Sequence, residues 1–350
     1  MVDVYNLTVV QARVRPVVRA NGVVRRDALE ENVEHLCDLV RRGANTFRSK
    51  LFVLPEFCIH GFELGVPTAA WVEAAITLPG PEIEPLQRTA RDKAVYIAGM
   101  AYEKLPQFPG RYFNTAFIID PRGEIALRYR KLYSITGKTT PLDVYNEYCQ
   151  LFGGPGSLFP VLDTPLGRLG ALVCYDIHFP EVARCLAMRG AEVLLHITSE
   201  ARGPEHYDEG GGGWTAVRKA RAWENVCYLA MANSGPNIDS DLPPMVCHGE
   251  SQILDFHART LNRTSGTEEC LITAPIDIEA LRRRRSGMRF NFLTELCPQA
   301  HAPIYAATQA WPLNAFAAAP MPDVAQNVAL QGSVLAEMRA RGQLLPPAGI

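Results

Sequence analysis

The sequence lacks the cysteine patterns that mark a disulfide framework or a zinc ribbon. Its nine cysteines are an odd number, are scattered along the chain and include no C-x-x-C pair. Disulfide-rich secreted domains pair an even number of cysteines, and zinc sites need closely spaced ligands. We therefore expect unpaired thiols, no metal ion and a reducing compartment such as the cytoplasm.

Long apolar runs and an excess of charge of one sign are also missing. No apolar stretch approaches the roughly 18 residues that cross a bilayer, and no basic segment followed by an apolar one suggests a signal peptide. The 35 basic and 37 acidic residues leave a net charge of −2. This balance gives no indication of a nucleic acid or a membrane as partner. We expect a soluble protein.

Short apolar runs that alternate with helical patterns are present along most of the chain. Helical spacing is found at 27–42, 81–92, 180–188 and 214–224, and hairpin patterns at 112–129 and 250–263. Strand–helix alternation together with hairpins predicts two mixed sheets packed face to face with helices outside, an α/β sandwich.

The composition changes near residue 295. The predicted sandwich domain covers residues 1–295, and a proline- and alanine-rich extension follows at 296–350. A helix is predicted near 325–342. We expect this extension to pack on a neighbouring subunit or to be partly disordered, as chain ends often are.

One stretch, residues 170–181, has the pattern of a strand, a turn and a new helix. An apolar run ends at Cys174, and Pro180 with Glu181 then favours the first turn of a helix. A thiol on the turn after a buried strand lies at the edge of the sheet where catalytic groups of α/β folds are found. Taken alone, such a cysteine is more often a buried structural residue.

Two further charged residues are predicted at strand ends. Glu56 follows the apolar run 51–55, and Lys131 follows the second strand of the hairpin 112–129. A carboxylate beside a thiol can take its proton and return it to a departing amine. An ammonium group beside both favours the thiolate and can stabilise an oxyanion. Each residue alone is weak evidence, since a Pro-Glu pair can be a cap and Arg130-Lys131 a solvated surface pair.

The three segments together resemble the signatures of the nitrilase superfamily of carbon–nitrogen hydrolases. The segments are Leu-Pro-Glu-Phe at 54–57, Tyr-Arg-Lys-Leu at 129–132 and Val-Cys-Tyr-Asp-x-x-Phe-Pro-Glu at 173–181. Their order and spacing are also similar to that family, and the resemblance covers roughly residues 5 to 280. It implies a four-layer α-β-β-α sandwich whose subunits pair into dimers or larger homo-oligomers, with no cofactor.

The resemblance also implies roles for individual residues. Glu56 would be the general base, Cys174 the nucleophile, and Lys131 the oxyanion partner, helped by the backbone N–H of Tyr175. Many members add a second glutamate between the lysine and the cysteine, and the resemblance favours Glu147 for that role. Residues 134–159, which contain Glu147, are predicted to form a long loop, because they are rich in Gly, Pro, Thr and Asn. An ordinary loop acid is the alternative for Glu147.

The residues after the cysteine bear on the substrate. Cys-Tyr-Asp resembles the amidase and carbamoylase branches of the superfamily, whereas nitrile hydrolysers usually carry Cys-Trp-Glu. We therefore favour a linear amide as substrate, with an N-carbamoyl amine as the alternative and a nitrile as a weaker one. The arginine that carboxylate-binding members place shortly after this position is replaced by Ile-His, and Arg202 could serve instead. The candidate substrate-binding residues are Phe57, His178, Ser199 and Arg202.

Two other interpretations remain open at this stage. His178 or His196 could pair with Cys174 in a Cys–His hydrolase. The chain could also be a catalytically silent scaffold on the same fold, although all three candidate catalytic residues are present. The four arginines at 282–285 fit a solvated helix end better than a nucleic-acid site.

Overall fold

Two six-stranded mixed sheets form the centre of the protein. The computed structural model describes residues 2–134, 139–201, 212–308, 310–320 and 323–347. The strands are β1 (Tyr5–Gln11), β2 (Leu51–Val53), β3 (Tyr96–Glu103), β4 (Phe113–Ile119), β5 (Ile125–Arg130), β6 (Val161–Thr164), β7 (Gly167–Val173), β8 (Val193–Ile197), β9 (Tyr228–Ala232), β10 (Gln252–Leu254), β11 (Thr260–Arg263) and β12 (Cys270–Ile276).

The helices are α1 (Arg26–Phe47), α2 (Thr68–Ala74), α3 (Glu84–Lys93), α4 (Tyr145–Phe152), α5 (Pro180–Met188), α6 (Gly212–Asn225), α7 (Ile278–Ser286), α8 (Pro298–Thr308) and α9 (Val324–Ala340). Short 3₁₀ turns include Pro141–Val144 and Cys174–His178. None of the helices in the described ranges is both long and apolar enough to cross a membrane.

The strand order shows how the chain builds each sheet. The first sheet has the order β12-β1-β2-β3-β4-β5, and the second has the order β11-β10-β9-β8-β7-β6. In both sheets the inner pairs are parallel, β1-β2-β3 and β7-β8-β9, and the outer pairs are antiparallel. Parallel strands buried on both faces are expected to be nearly continuous apolar runs, as Leu51–Val53 and Val193–Ile197 are.

The two sheets pack face to face, with helices on the outer faces. β1 and β2 contact β9, β3 contacts β8, and β4 contacts β7. Helices α1 and α3 cover the first sheet, while α5 and α6 cover the second. The expected four-layer α-β-β-α sandwich is therefore confirmed. The Glu56 backbone N–H, just after β2, donates to the Thr198 carbonyl, just after β8, so strand ends of the two facing sheets meet.

The prediction of a long loop at residues 134–159 is wrong in part. Within its described residues, the 3₁₀ turn Pro141–Val144 runs into helix α4. Thr140 and Asp143 form a capping box there, in which the Thr140 backbone N–H and hydroxyl both donate to Asp143 Oδ2. The Gly and Pro content suggested a loop. The capping box and the packing of the aromatic side chains of α4 stabilise helical structure instead.

Candidate active site

Glu56 and Lys131 form a buried ion pair. Lys131 Nζ lies 2.9 Å from Glu56 Oε1, and both side chains are almost completely shielded from solvent. A buried pair of this kind persists only with good geometry and additional hydrogen bonds. The structure thus brings together two residues that are 75 positions apart in the chain.

Asn114, on strand β4, holds both members of the pair. Its side-chain amide donates to Glu56 Oε1 over 2.6 Å, and its backbone carbonyl accepts from the Lys131 backbone N–H over 2.9 Å. The backbone of Glu56 is fixed as well, by Ser234 Oγ, which donates to its carbonyl. Asn114 was not identified from the sequence, because a lone asparagine inside an apolar strand carries no motif.

Cys174 begins the turn after β7, in a conformation that few side chains adopt. Its φ is 48°, in the left-handed region, and it is buried in the 3₁₀ turn Cys174–His178. A nucleophile on a strained strand-to-helix turn presents its side chain at the top of the sheet. The expected placement of the thiol at the mouth of the sheet agrees with this geometry.

The charges of Glu56 and Lys131 both act on the Cys174 thiol. Burial raises the pKa of the thiol to about 12, Glu56 adds to the rise, and Lys131 and the Thr198 side chain oppose it. At Lys131, burial favours the neutral amine, but the Cys174 and Glu56 charges outweigh it and raise the pKa of the ammonium. The site therefore holds a protonated thiol next to a carboxylate and a fixed cation.

Asp176 and Tyr129 connect the turn to the first sheet. Tyr129 of β5 donates to Asp176 Oδ2 over 2.8 Å, and the Tyr133 and Val173 backbone N–H groups also donate to this carboxylate. Burial raises the pKa of Asp176 to about 6, while Lys131 and these hydrogen bonds oppose the rise. Asp176 thus anchors the turn that carries Cys174 to the strand that carries Lys131.

Arg130 is a buried structural residue and not part of a solvated surface pair. Its guanidinium binds both carboxylate oxygens of Glu103, at 2.8 and 3.0 Å, and lies 4.5 Å from the Phe152 ring centre. Arg130 Nη1 also donates to Tyr148 Oη. Helix α4, which contains Tyr148 and Phe152, is therefore held against the strand that ends at Lys131.

A second buried charge cluster lies on the other side of Cys174. Arg218 Nη1 binds both oxygens of Glu200, at 2.7 and 2.9 Å, and His248 Nε2 lies 3.2 Å from the same carboxylate. Burial opposes ionisation of Glu200, but the Arg218 charge outweighs it and holds the pKa of Glu200 well below its usual value. Thr198 Oγ1 donates to Glu200 Oε1 over 3.1 Å. Thr198 thus joins this cluster to the thiol.

Glu147 is not brought together with the other three candidate catalytic residues. It lies in the first turn of α4 with an exposed side chain, and none of the hydrogen bonds or ion pairs of the described residues joins it to Glu56, Lys131 or Cys174. The spacing along the chain suggested a role, but the helical turn points this side chain outwards. The expected second glutamate at the thiol therefore lacks the contact that it requires.

The candidate substrate-binding residues fall into different environments. Phe57 is buried with a φ of 63° and stacks on Phe62. His178 is half-buried, with its ring 4.2 Å from that of Trp214, and Ser199 Oγ lies 3.3 Å from Cys247 Sγ. Arg202 lies outside the described residues.

The histidines give no support to a Cys–His pair. His196 Nε2 lies 3.1 Å from the backbone carbonyl of Cys174, and burial lowers the pKa of His196 to about 3. Burial also lowers the pKa of His178. A Cys–His ion pair needs an imidazolium beside the sulfur, whereas both histidines are held neutral.

Comparison with known proteins places this chain in a family. The family model described as carbon-nitrogen hydrolase matches residues 7–286. The chain is 28% identical over 263 residues to omega-amidase NIT2 of Homo sapiens, covering 73% of this chain and 86% of that protein. It is 31% identical over 241 residues to a formamidase of Bacillus cereus (strain B4264), covering 68% of this chain and 65% of that protein.

Solved structures show the same fold. An amidase from Nesterenkonia sp. has a TM-score of 0.60 and 23% identity, covering 86% of this chain and 96% of that chain. A mutant of the amidase from Nesterenkonia sp. AN1 in complex with butyramide has a TM-score of 0.61 and 22% identity, covering 85% and 96% of the two chains. Since the family model matches well over half of the sequence, the chain belongs to the carbon–nitrogen hydrolase family.

Proposed function

We propose that this protein is an amidase that hydrolyses the C–N bond of a linear amide through a thioester on Cys174. The observation that carries the proposal is the buried Lys131–Glu56 pair, 2.9 Å long, whose two charges both act on the thiol. A carboxylate, an ammonium and a thiol at one point supply a base, an oxyanion partner and a nucleophile.

In the first step, the Glu56 carboxylate takes the proton of the Cys174 thiol as sulfur attacks the amide carbon. Because burial holds the pKa of the thiol at about 12, little thiolate is present at rest, and a base in the site is required. The Lys131 ammonium and the backbone N–H of Tyr175 stabilise the oxyanion that forms on the carbonyl oxygen.

Collapse of this intermediate breaks the C–N bond. The proton held by Glu56 passes to the departing nitrogen, which leaves as ammonia or an amine, and the acyl group remains on sulfur as a thioester. Water then attacks the thioester as Glu56 takes its proton. The sulfur leaves, the acid is released, and Glu56 returns the proton to Cys174, so that the enzyme regains its starting state.

The relatives support an amide as substrate. The curated relatives include omega-amidases and a formamidase, and the solved structures include amidases. We extend this to the present chain as a proposal, in agreement with the Cys-Tyr-Asp sequence. We also propose that the protein is a homodimer or larger homo-oligomer in the cytoplasm. Its nine cysteines form no disulfide, as is usual in a reducing compartment.

Ammonia release from a panel of amides, N-carbamoyl amines and nitriles tests this function. We expect turnover of amides by the wild-type protein and loss of at least about a thousandfold in Cys174→Ala, with an unchanged circular dichroism spectrum. Mass spectrometry should find an acyl adduct on Cys174 in the wild-type protein. Retained activity in Cys174→Ala, or turnover of carbamoyl compounds only, would overturn the assignment. A complete lack of both turnover and adduct would favour a silent scaffold.

A further inference from the structure

The C-terminal extension, defined here as residues 296–347, lies against the catalytic domain of its own chain. Arg111, which is 7% exposed, donates through Nη2 to the carbonyls of Phe316 and Ala317 over 2.6 and 3.1 Å. Hydrogen bonds from a charged donor are stronger than those between neutral groups, so these two contacts favour the docked position of the extension. Arg111 is therefore a specific anchor for the extension.

Further hydrogen bonds attach the extension around helix α4. The Asn314 backbone N–H donates to the Leu142 carbonyl over 2.8 Å, and Asn314 Oδ1 accepts from the Asn146 backbone N–H over 2.8 Å. On α9 the only buried residue is Asn327, which donates to the Ser134 carbonyl over 3.3 Å. Leu330, Val334 and Met338, at helical spacing from Asn327, are half-buried, so this face of α9 has a defined position on the domain.

The extension forms part of the wall of a cavity that is also lined by Leu132 and Tyr175, the residues that directly follow Lys131 and Cys174. The cavity has a volume of about 240 Å³ and is lined by Tyr133 and Tyr175, which lie close in sequence to Lys131 and Cys174. Phe179 lines it as well. Its ring stacks on that of Tyr133, with 3.5 Å between the ring centres and an angle of 7° between the ring planes. Trp311, Asn327 and Gln331 of the extension form the opposite wall.

The lining residues determine which chemical groups of a ligand the cavity can bind. None of its lining residues in the described ranges is an arginine, lysine or histidine, and one of them is the buried Asp143. Among these described lining residues, a carboxylate would face the Asp143 carboxyl group and no side-chain cation. The aromatic rings and Trp311 instead offer apolar surface, and the Asn327 and Gln331 amides are neutral.

The size of the cavity also limits the occupant. Since a dry apolar cavity of about 150 Å³ binds benzene, a cavity of about 240 Å³ holds a phenyl-sized group. Formamide and acetamide would leave most of this space unfilled, and unfilled apolar space forfeits contact energy.

We propose that this cavity binds an uncharged aromatic or branched apolar acyl group of the amide substrate, and that Trp311 and Gln331 of the extension determine this specificity. The inference rests on the proposed function, because it assigns the acyl side of the same reaction. It separates this chain from amidases whose amide substrates carry a carboxylate.

The test compares kcat/KM for phenylacetamide, acetamide, succinamate and N-benzylacetamide in the full-length protein. In the wild-type protein, phenylacetamide should exceed acetamide and succinamate by about tenfold or more, which is the range for filling an apolar pocket. In Trp311→Ala and Gln331→Ala the ratio of phenylacetamide to acetamide should fall, by about tenfold for Trp311→Ala. The loss should appear mainly in KM, and Trp311→Phe should restore most of it.

Leu335→Ala provides the matched control, because Leu335 is an exposed residue of α9 that does not line the cavity. It should leave all four kcat/KM values unchanged. Preference for succinamate, preference for N-benzylacetamide, or equal ratios in Trp311→Ala and the wild-type protein would each overturn the inference while the amidase function stands. Absence of turnover of every amide would instead overturn the proposed function.

Discussion

At the scale of single residues, the main property of the molecule is how many ionisable groups it buries near Cys174. Asp176, His196 and His60 have no exposed surface, and Glu200 is only 2% exposed. Burial favours the neutral form, and paired charges favour the ionised form. The folded protein therefore favours the neutral form of some of these groups and the ionised form of others. Because their pKa values then differ from those in the unfolded chain, the free energy of unfolding depends on pH.

The two buried histidines should make the protein less stable in acid. Burial lowers the pKa of His60 and of His196 to about 3, against 6.5 in the unfolded chain. Between pH 6.5 and 3 the unfolded chain therefore binds two protons that the folded chain excludes, and stability is lost as the pH falls through this window. Asp176 opposes this effect below pH 6, because its folded pKa of about 6 lies above the unfolded value of 3.8.

Urea unfolding of His60→Asn at pH 4 to 6 checks this expectation. The replacement keeps an acceptor for the Tyr102 backbone N–H, which donates to His60 Nδ1 over 3.3 Å. The pH slope of the unfolding free energy should decrease by about 1.4 kcal/mol per pH unit, the value of one proton. His301→Asn, a change at an exposed histidine of α8, is the control. An unchanged slope in His60→Asn would show that His60 is protonated in the folded protein.

At the scale of elements, the carboxyl end of β8 is the point where both sheets and helix α6 meet. Val173 and Ile197 are paired in register on β7 and β8, so that Cys174 and Thr198 follow side by side. The Thr198 carbonyl accepts from the Glu56 backbone N–H, and its hydroxyl donates to Glu200. Thr198 therefore links the strand end that carries Glu56 to the charge cluster of Glu200 and of Arg218 on α6.

Removal of Arg218 should destabilise the fold strongly. Arg218→Met leaves the Glu200 carboxylate buried without its main counter-charge, which costs about 3–5 kcal/mol. The double variant Glu200→Gln, Arg218→Met removes the unpaired charge and should recover most of this loss. Chemical denaturation measures both unfolding free energies.

The control for this pair is Arg88→Met, because Arg88 and its partner Glu84 are both exposed. Its effect should stay within about 1 kcal/mol, as for exposed ion pairs. If the double variant is as unstable as Arg218→Met alone, the loss comes from packing of the arginine side chain and the charge argument is wrong.

Elements also show what could and could not be predicted from the sequence. Strand ends at Glu56, Lys131 and Cys174 were predictable, because apolar runs, a proline and a hairpin mark them locally. Helix α4 was not, since its stability depends on the contacts of Tyr148 and Phe152 with Arg130. The left-handed φ of Phe57 and of Cys174 could not be predicted either, because neither residue is a glycine. The outward direction of Glu147 followed from the unpredicted helix.

At the scale of the whole molecule, the sandwich explains why residues distant in sequence form one site, but the extension is attached differently. The domain buries a continuous apolar core between its sheets and helices. Helix α8 buries none of its residues and α9 buries only Asn327. Segments with little apolar burial open at low free energy, independently of the core. We therefore expect the molecule to contain two units of different stability, with a boundary close to residue 295.

Native-state hydrogen exchange of Arg111→Leu tests this expectation. The change removes the two hydrogen bonds to Phe316 and Ala317, each worth about 1 kcal/mol, and leaves no unsatisfied guanidinium behind. Amides of α9 should exchange roughly tenfold faster, whereas amides of β7 and β8 should keep their protection. Arg88→Leu, at an exposed arginine of α3 that pairs with Glu84, should change neither. An equal loss of protection in α9 and in the two strands would mean that the extension folds as part of the core, since only a shared opening reaction would expose all three elements together.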